Sequence, residues 1–206
     1  MEEFNRKNHW ENIYQTKSEK EMSWYQAKPE ISLDFVGKFN LPKTAQIIDI
    51  GGGDSLFVDH LLDLGFHHIT VLDISKTAIN RAKERLGHKA KLINWIIQDI
   101  TEFQPTDQYD FWHDRATFHF LTAAKDIETY VRLVSNHLKK DGKLVLGTFS
   151  EIGPKKCSGI EIKQYSEDHL KKLFTPYFEK IQCLNINHKT PFDTTQNFVF
   201  CSFTKK

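Results

Sequence analysis

The amino-acid sequence predicts an α/β fold, a doubly wound, seven-stranded, mostly parallel sheet that closes with a C-terminal antiparallel hairpin. Two observations predict it. Apolar runs alternate with segments of helical spacing through residues 45–150, the rhythm of a parallel sheet covered on both faces. The last two apolar runs, 178–186 and 197–203, are joined by a connection of about ten residues, too short for a parallel crossover, so they are expected to pair as a hairpin.

The individual elements follow from local composition. Five runs rich in Val, Ile, Leu, Phe and Trp have the composition of strands buried on both sides. They lie near 46–50, 68–73, 91–97, 109–113 and 143–149. Helical spacing of apolar residues occurs at 56–64, 76–86, 126–139 and 166–174. Asp141 and Gly142 are expected to end the third of these helices.

Length and charge limit the function classes. At 206 residues the chain is expected to form one domain. Its parts are an N-terminal helical extension (1–44), a ligand-binding core (45–150) and a C-terminal loop, helix and hairpin (151–206). The 28 Lys and Arg nearly balance the 27 Asp and Glu. A nucleic-acid partner is therefore not favoured, because its usual footprint is a basic excess.

The spacing of the cysteines and histidines predicts neither a disulfide framework nor a metal site. Cys157, Cys183 and Cys201 are too few and too scattered for a disulfide framework, so we expect buried thiols in a reducing compartment. His113, His119 and His188 match no standard metal-ligand spacing. The N-terminus lacks the apolar core of a signal peptide, and no apolar run is long enough to span a membrane. A cytoplasmic protein with no membrane partner is expected.

A glycine turn between two buried strands indicates a nucleotide-type site. Gly51, Gly52 and Gly53 follow the first strand, and glycine lets a ligand lie against bare backbone amides. Asp73 ends the second strand, where such a unit binds a ribose. A dinucleotide fingerprint requires a third glycine, but that position is Leu56. The chain also lacks a P-loop motif.

The ordered set of motifs resembles the class I S-adenosylmethionine-dependent methyltransferases over residues 45–206. The motifs follow successive strands, and they are Ile48-Asp49-Ile50-Gly51-Gly52-Gly53, Asp73-Ile74-Ser75, Gln98-Asp99-Ile100, Tyr109-Asp110-Phe111-Trp112-His113-Asp114 and Leu138-Lys139-Lys140-Asp141-Gly142-Lys143-Leu144. The closing hairpin completes the pattern. The resemblance implies S-adenosylmethionine as cofactor and methyl transfer as the reaction.

The resemblance also implies roles for the nucleoside end of the site. Asp73 would accept from both ribose hydroxyls, for which a carboxylate is suited because it offers only acceptors. Asp99 would accept from the adenine amine, although a plain turn residue is the alternative. Ile74 and Ile100 would flank the base.

At the methionine end, Asp49 would accept from the ammonium, directly or through water, and Gly51 and Gly53 would let the backbone approach. His113 and Asp114 would border the methionine and face the acceptor. We take His113, Asp114 and His119 as candidate catalytic contacts, with a base needed only if the acceptor carries a proton that must leave.

The N-terminal extension is predicted to form a lid. Trp10 and Tyr14 share one helical face, Trp24 and Tyr25 follow in a loop, and Pro29 lies in the first turn of a second helix. Aromatic faces stabilise a sulfonium cation, so Trp24 and Tyr25 are candidate cofactor contacts. The alternative is a helix that only covers the sheet edge.

Substrate specificity is expected in this lid and in residues 118–122, 151–165 and 187–196. Arg115, Lys155 and Lys156 could attract an acid. We expect a small-molecule acceptor, with a protein lysine as the alternative enzyme substrate. A non-catalytic protein that binds the cofactor or its demethylated product is the alternative outside enzymes. Methylation of nucleic-acid bases is disfavoured, because the place of its Asn/Asp-Pro-Pro-aromatic motif holds His113-Asp114-Arg115-Ala116.

Overall fold

The structure, a computed structural model, describes residues 4–206. Its helices are α1 (Arg6–Thr16), α2 (Glu30–Lys38), α3 (Phe57–Asp63), α4 (Lys76–Leu86), α5 (Ala124–His137) and α6 (Glu167–Phe174). Its strands are β1 (Ile47–Ile50), β2 (Ile69–Asp73), β3 (Ile93–Ile97), β4 (Tyr109–Arg115), β5 (Leu138–Phe149), β6 (Lys156–Cys157), β7 (Ile160–Glu161), β8 (Phe178–Lys189) and β9 (Thr195–Lys205).

Seven of these strands form one sheet in the order β3-β2-β1-β4-β5-β9-β8. The first five pair in parallel, whereas β9 runs antiparallel to both β5 and β8. The predicted fold class, including the closing hairpin, is confirmed. The strand order places β1 and β4 side by side at the centre, where the direction of chain progression reverses and open α/β sheets bind ligands.

Alternating strand residues feed two apolar cores on opposite faces of the sheet. Ile47 of β1 joins the core that α2 and α3 cover, and its neighbour Ile48 joins the core covered by α5 and α6. Phe111 and Trp112 of β4 divide in the same way, because successive side chains of a strand point to opposite faces. This alternation decides which side chains of β1 and β4 can reach a ligand.

The predicted end of α5 is wrong. The helix ends at His137 and the chain becomes extended at Leu138, which pairs with Tyr109 of β4. Asp141, not Gly142, takes a positive φ of 63°. Gly142 serves another purpose, because a Cβ there would lie 2.8 Å from the backbone oxygen of Lys139.

The expectation of three free thiols is also wrong. Cys183 and Cys201 form a disulfide, and Cys157 is free and buried. Eighteen residues separate the pair along the chain, but the register of β8 on β9 places them directly opposite each other, where two side chains on one face are close neighbours. None of the helices within residues 4–206 is long and apolar enough to cross a membrane.

Candidate active site

A cavity opens at the carboxyl ends of the central strands. Counting its mouth, its empty space is about 820 Å³, within the range of small-molecule sites, about 300–1,000 Å³. Its sheet-side wall comes from the residues that end or follow β1 to β5, namely Gly51, Asp73, Ile74, Gln98, Asp99, Ile100, Arg115, Ala116, Thr117 and Phe149. The topology therefore brings the predicted glycine turn and both predicted nucleoside carboxylates onto one wall.

The glycine turn is built without room for side chains. Gly51 and Gly53 have φ values of 63° and 50°, which L residues rarely adopt. A Cβ on Gly51 would lie 1.7 Å from Oγ1 of Thr117, and one on Gly52 would lie 2.6 Å from Oδ2 of Asp49. Of the three glycines, Gly51 lines the cavity and presents bare backbone to it.

Asp73 is a buried carboxylate on the cavity wall. Its side chain is 5% exposed, and its Oδ1 accepts from the backbone N–H of Ser75 at 2.8 Å. Burial raises its pKa to about 7, and the charges of Asp54 and Asp49 add to the shift. A ligand that brings hydroxyl donors to Asp73 would stabilise its ionised form.

Asp99 lies at the same end of the cavity but has partners of its own. Its Oδ1 accepts from the backbone N–H of Thr101 at 2.9 Å and from Oγ1 of Thr101 at 2.8 Å. Its Oδ2 lies 3.6 Å from Nη1 of Arg6. One oxygen thus holds the local turn, and the other is the one that a ligand can approach. Ile74 and Ile100 line the wall beside it.

Helix α1 covers this end of the cavity. Glu11 accepts from Oγ of Ser75 at 2.8 Å and from Oγ1 of Thr77 at 2.5 Å, which fastens α1 to the start of α4. Trp10 and Tyr14 both line the cavity, as expected if they share one face of the helix.

The two loop aromatics differ. Trp24 lines the cavity, and its ring centroid lies 5.8 Å from that of Trp10. Tyr25 does not line it and packs instead with the small cluster around Met22. Of these two residues, only Trp24 is placed to contact a ligand in this cavity.

Asp49 and His113 lie behind the wall, not on it. Nδ1 of His113 donates to Oδ1 of Asp49 at 2.7 Å, and its Nε2 hydrogen-bonds Oγ of Ser32 at 2.8 Å. Both side chains point to the α2 and α3 face, where the Phe57 ring lies 4.3 Å from the His113 ring. The expected contacts of Asp49 with the ammonium and of His113 with the acceptor are therefore not formed at the cavity surface.

Asp114 points to the opposite face and is equally enclosed. It accepts from the hydroxyl of Tyr130 at 2.7 Å and from the backbone N–H groups of Thr117 and Phe118 at 2.9 and 3.2 Å. Burial raises its pKa to about 6. Asp114 fixes the loop that follows β4, and the structure does not place it on the cavity wall.

His119 is a packed ring. It stacks on Phe149 with ring centroids 4.5 Å apart, and its Nδ1 accepts from the backbone N–H of Phe149 at 3.3 Å. Burial lowers its pKa to about 3, so the ring is neutral at pH 7. Like His113 and Asp114, it does not meet the acceptor contact that the sequence suggested.

The far end of the cavity contains residues that sequence reasoning located only as loops. Phe120, Cys157 and Gln196 come from the three segments named for specificity, and Phe198 comes from β9. Arg115 lies between the two ends. Its Nη1 donates to the backbone oxygen of Trp24 at 2.9 Å, and its guanidinium lies over the Phe198 ring, 5.6 Å from the centroid.

Comparison with known proteins finds a methyltransferase domain in the chain. Residues 48–144 match a family described as "Methyltransferase domain", and this segment runs from β1 into β5 through the glycine turn and both cavity carboxylates. The predicted resemblance to the class I S-adenosylmethionine-dependent methyltransferases is confirmed.

The curated relatives of this chain act on different substrates. Malonyl-[acyl-carrier protein] O-methyltransferase 2 of Ilyobacter polytropus is 31% identical over 106 residues, which is 51% of this chain and 39% of the relative. The eEF1A lysine and N-terminal methyltransferase homolog of Drosophila melanogaster is 26% identical over 184 residues, 89% of this chain and 26% of the relative. The chain thus spans less than half the length of these two relatives.

Solved methyltransferase structures share the fold. The N-methyltransferase NodS of Bradyrhizobium japonicum, solved with S-adenosylhomocysteine, superposes with a TM-score of 0.71 at 16% identity and covers 98% of this chain and 99% of its own. An Anabaena variabilis methyltransferase superposes with a TM-score of 0.76 at 16% identity, covering 99% and 96%.

Proposed function

We propose that the chain binds S-adenosylmethionine in this cavity and transfers its methyl group to a small-molecule acceptor. The observation that carries the proposal is the placement of Asp73 and Asp99 at the ends of adjacent strands, on one wall, under a helix whose aromatic residues close the cavity. The match to a methyltransferase domain and the likeness to a structure solved with S-adenosylhomocysteine support S-adenosylmethionine as the cofactor.

The residues at this end fit the nucleoside. Asp73 is a buried acceptor whose pKa is raised by burial, and the two ribose hydroxyls supply further donors to it. Oδ2 of Asp99 accepts from the adenine amine, because Oδ1 is committed to Thr101. Ile74 and Ile100 flank the base, and the backbone of the glycine turn faces the methionine.

The enclosed residues position this site. Asp49, His113 and Ser32 form a buried hydrogen-bonded chain beneath the glycine turn, and Asp114 holds the start of the loop after β4. We therefore assign Asp49, His113 and Asp114 to maintaining the cavity wall and not to contact with the acceptor.

Catalysis on this scaffold depends on alignment. The bound cofactor supplies a methyl group on a positively charged sulfur, and in-line displacement needs the acceptor held against it with water excluded. We call the end of the cavity away from Asp73 and Asp99 the acceptor end. Of the described residues that line it, Arg115 and Cys157 are titratable. Burial lowers the pKa of Arg115 to about 10 and raises the pKa of Cys157 to about 11. Neither is a base at neutral pH, so the site suits an acceptor that needs no proton removed by the enzyme.

A small molecule fits the acceptor end better than a protein lysine. The cavity is bounded by aromatic rings and by the partly buried cation Arg115, which repels an ammonium group. The names of the curated relatives support both classes. A cytoplasmic location stays a prediction, against which the Cys183–Cys201 disulfide counts.

Two measurements test the proposal. Calorimetric titration with S-adenosylhomocysteine should give one site per chain, and Asp73→Ala should weaken binding at least about tenfold. Cofactor with a labelled methyl group is then incubated with cell extract. Label in small molecules supports the proposal, label in protein favours the lysine alternative, and tight binding without labelled product favours a non-catalytic binding protein.

A further inference from the structure

Arg115 is a partly buried cation with an enclosed nitrogen that lacks a partner. Its Nη2 is shielded from solvent and makes no hydrogen bond, although Nη1 is held by the backbone of Trp24. Burial lowers the pKa of Arg115 to about 10, so the group stays charged at neutral pH. An unpaired buried charge is costly, and a ligand that supplies an anion would remove this cost.

Arg115 lacks a compensating acid among the described residues. The only carboxylate that raises its pKa is that of Asp49, and Asp49 already accepts from His113. The positive charge of Arg115 also lowers the pKa values of His119 and His188. The local potential around its free nitrogen is therefore positive.

The guanidinium is directed toward the acceptor end. Arg115 ends β4, yet its side chain reaches the ring of Phe198 on β9, two strands away from β4 in the sheet and on the side opposite β1. Asp73 and Asp99 lie on the other side, at β2 and β3. The guanidinium carbon thus lies on the β9 side of the cavity.

Gln196 adds a second unmet polar group at this end. Its Oε1 is buried without a partner and the residue lines the same cavity. The side-chain amide offers both donors and an acceptor. The unmet atom of Gln196 is an acceptor, so it suits a donor on the body of a ligand and not a carboxylate, which offers only acceptors. Trp24, Phe149 and Phe198 make the surrounding walls apolar.

We propose that the methyl acceptor is a small carboxylic acid with an apolar body, whose carboxylate binds Nη2 of Arg115. This proposal rests on the proposed function, because it assigns the cavity beyond the cofactor to the acceptor. A carboxylate is ionised at neutral pH, so it supplies the negative charge that Arg115 lacks.

The test uses the full chain and four pairs of probes with identical bodies. They are benzoate and benzamide, phenylacetate and phenylacetamide, indole-3-acetate and its amide, and hexanoate and hexanamide. Dissociation constants are measured by calorimetry with the chain saturated with S-adenosylhomocysteine. At least one acid is expected to bind about tenfold more tightly than its amide. If no acid binds more tightly than its amide in any pair, the proposal is overturned.

Variants locate the contact. Arg115→Gln is expected to reduce the affinity of the preferred acid to that of its amide, while the affinity of the amide changes less than about twofold. Arg115→Lys keeps the charge and should retain part of the preference, since only the geometry of the donors is lost. Equal loss of acid and amide binding in Arg115→Gln would contradict a specific carboxylate contact. The acid and amide comparison in the unmodified chain needs no variant to fold.

A second arm distinguishes the carboxylate of the cofactor from that of the acceptor. S-adenosylhomocysteine carries a carboxylate, and 5′-methylthioadenosine does not. If Arg115→Gln weakens the first about tenfold and leaves the second unchanged, the anion at Arg115 belongs to the cofactor and the proposal is wrong. If the unmodified chain binds neither nucleoside, the proposed function fails, and the acid and amide comparison without nucleoside still shows whether Arg115 selects a carboxylate.

Discussion

Nδ1 of His113 lies 2.7 Å from Oδ1 of Asp49, and both side chains are almost completely enclosed, with 3% and 4% of their surface exposed. The pair joins β4 to β1 at the centre of the sheet, directly beneath the glycine turn. Although a histidine suggests acid or base chemistry, His113 is paired with Asp49 inside the protein.

The first prediction concerns this pair. His113→Ala should lower the free energy of unfolding by about 2–4 kcal/mol, because it leaves Asp49 buried without its donor. Chemical denaturation at pH 7 measures it. His137→Ala is the control, since that ring hydrogen-bonds Asp107 at the exposed surface and should change stability by less than about 0.5 kcal/mol. Wild-type stability in His113→Ala would contradict a supporting role.

The second prediction concerns the pH dependence of cofactor binding. Ribose hydroxyls need Asp73 ionised, and its pKa in the free protein is about 7. The affinity for S-adenosylhomocysteine should therefore be constant above pH 7 and fall below it, by up to about tenfold per pH unit. Calorimetry between pH 5.5 and 8.5 measures the slope. Asp73→Asn should bind more weakly at pH 8 and lose this slope.

The same shift has a consequence for stability. The pKa of Asp73 is raised from 3.8 to about 7 on folding, so the folded protein holds a proton that the unfolded chain releases. The free energy of unfolding should therefore fall as pH rises from 3.8 through 7. Asp73→Asn should be more stable than the unmodified chain at pH 8 without ligand. A lower melting temperature for this variant at pH 8 would show that Asp73 is better solvated than the structure implies.

The third prediction separates backbone strain from ligand approach at the glycine turn. Gly51→Ala would combine a φ of 63° with a contact 1.7 Å from Thr117, and we expect S-adenosylhomocysteine affinity to fall more than about tenfold. Gly87→Ala has a similar φ, 57°, and open space around the Cβ. It should cost about 1–3 kcal/mol of stability with cofactor affinity unchanged. Equal affinity in both variants would argue against the turn as a ligand surface.

The fourth prediction concerns the lid. Trp24 lines the cavity and Tyr25 does not, so Trp24→Ala should weaken S-adenosylhomocysteine binding while Tyr25→Ala leaves it within about twofold. Isothermal calorimetry on the two variants decides. If both bind as the unmodified chain does, α1 and its loop only cover the sheet edge.

The fifth prediction concerns the hairpin disulfide. Alkylation under denaturing, non-reducing conditions should modify one cysteine, Cys157, because Cys183 and Cys201 are bonded. Reduction should lower the free energy of unfolding by about 3 kcal/mol, the loop-closure value for this separation. Cys157→Ser should respond to reductant in the same way, and Cys183→Ser should not respond. Modification of three cysteines before reduction would contradict the pairing.

The sequence predicts most of the scaffold because its signals are local. The apolar runs of β1 to β5 and the glycine turn are each readable within a few residues, and the short connection after β8 fixes the hairpin. The end of α5 was missed because pairing of Leu138 with Tyr109 outweighs the helix-ending tendency of Asp141 and Gly142. This is a tertiary contact that no local pattern reports.

In the candidate site too, some positions can be predicted from local sequence and others cannot. The places of Asp73 and Asp99 on the cavity wall were predictable, since the end of a parallel strand is a position that sequence can locate. His113, Asp114 and His119 were not, because the choice of face depends on which helix covers each strand. Cys183 and Cys201 depend on hairpin register, and Gln196 reaches the cavity only through the path of β9.

The fastening of α1 to the core has a kinetic consequence. Glu11 binds Ser75 and Thr77, and Arg6 pairs with Asp99, so the helix that covers the nucleoside end is held by contacts that need no ligand. Under the proposed function, we expect a product beneath this helix to leave only after those contacts break. The residence time of the demethylated nucleoside, and with it turnover, should then depend on Glu11.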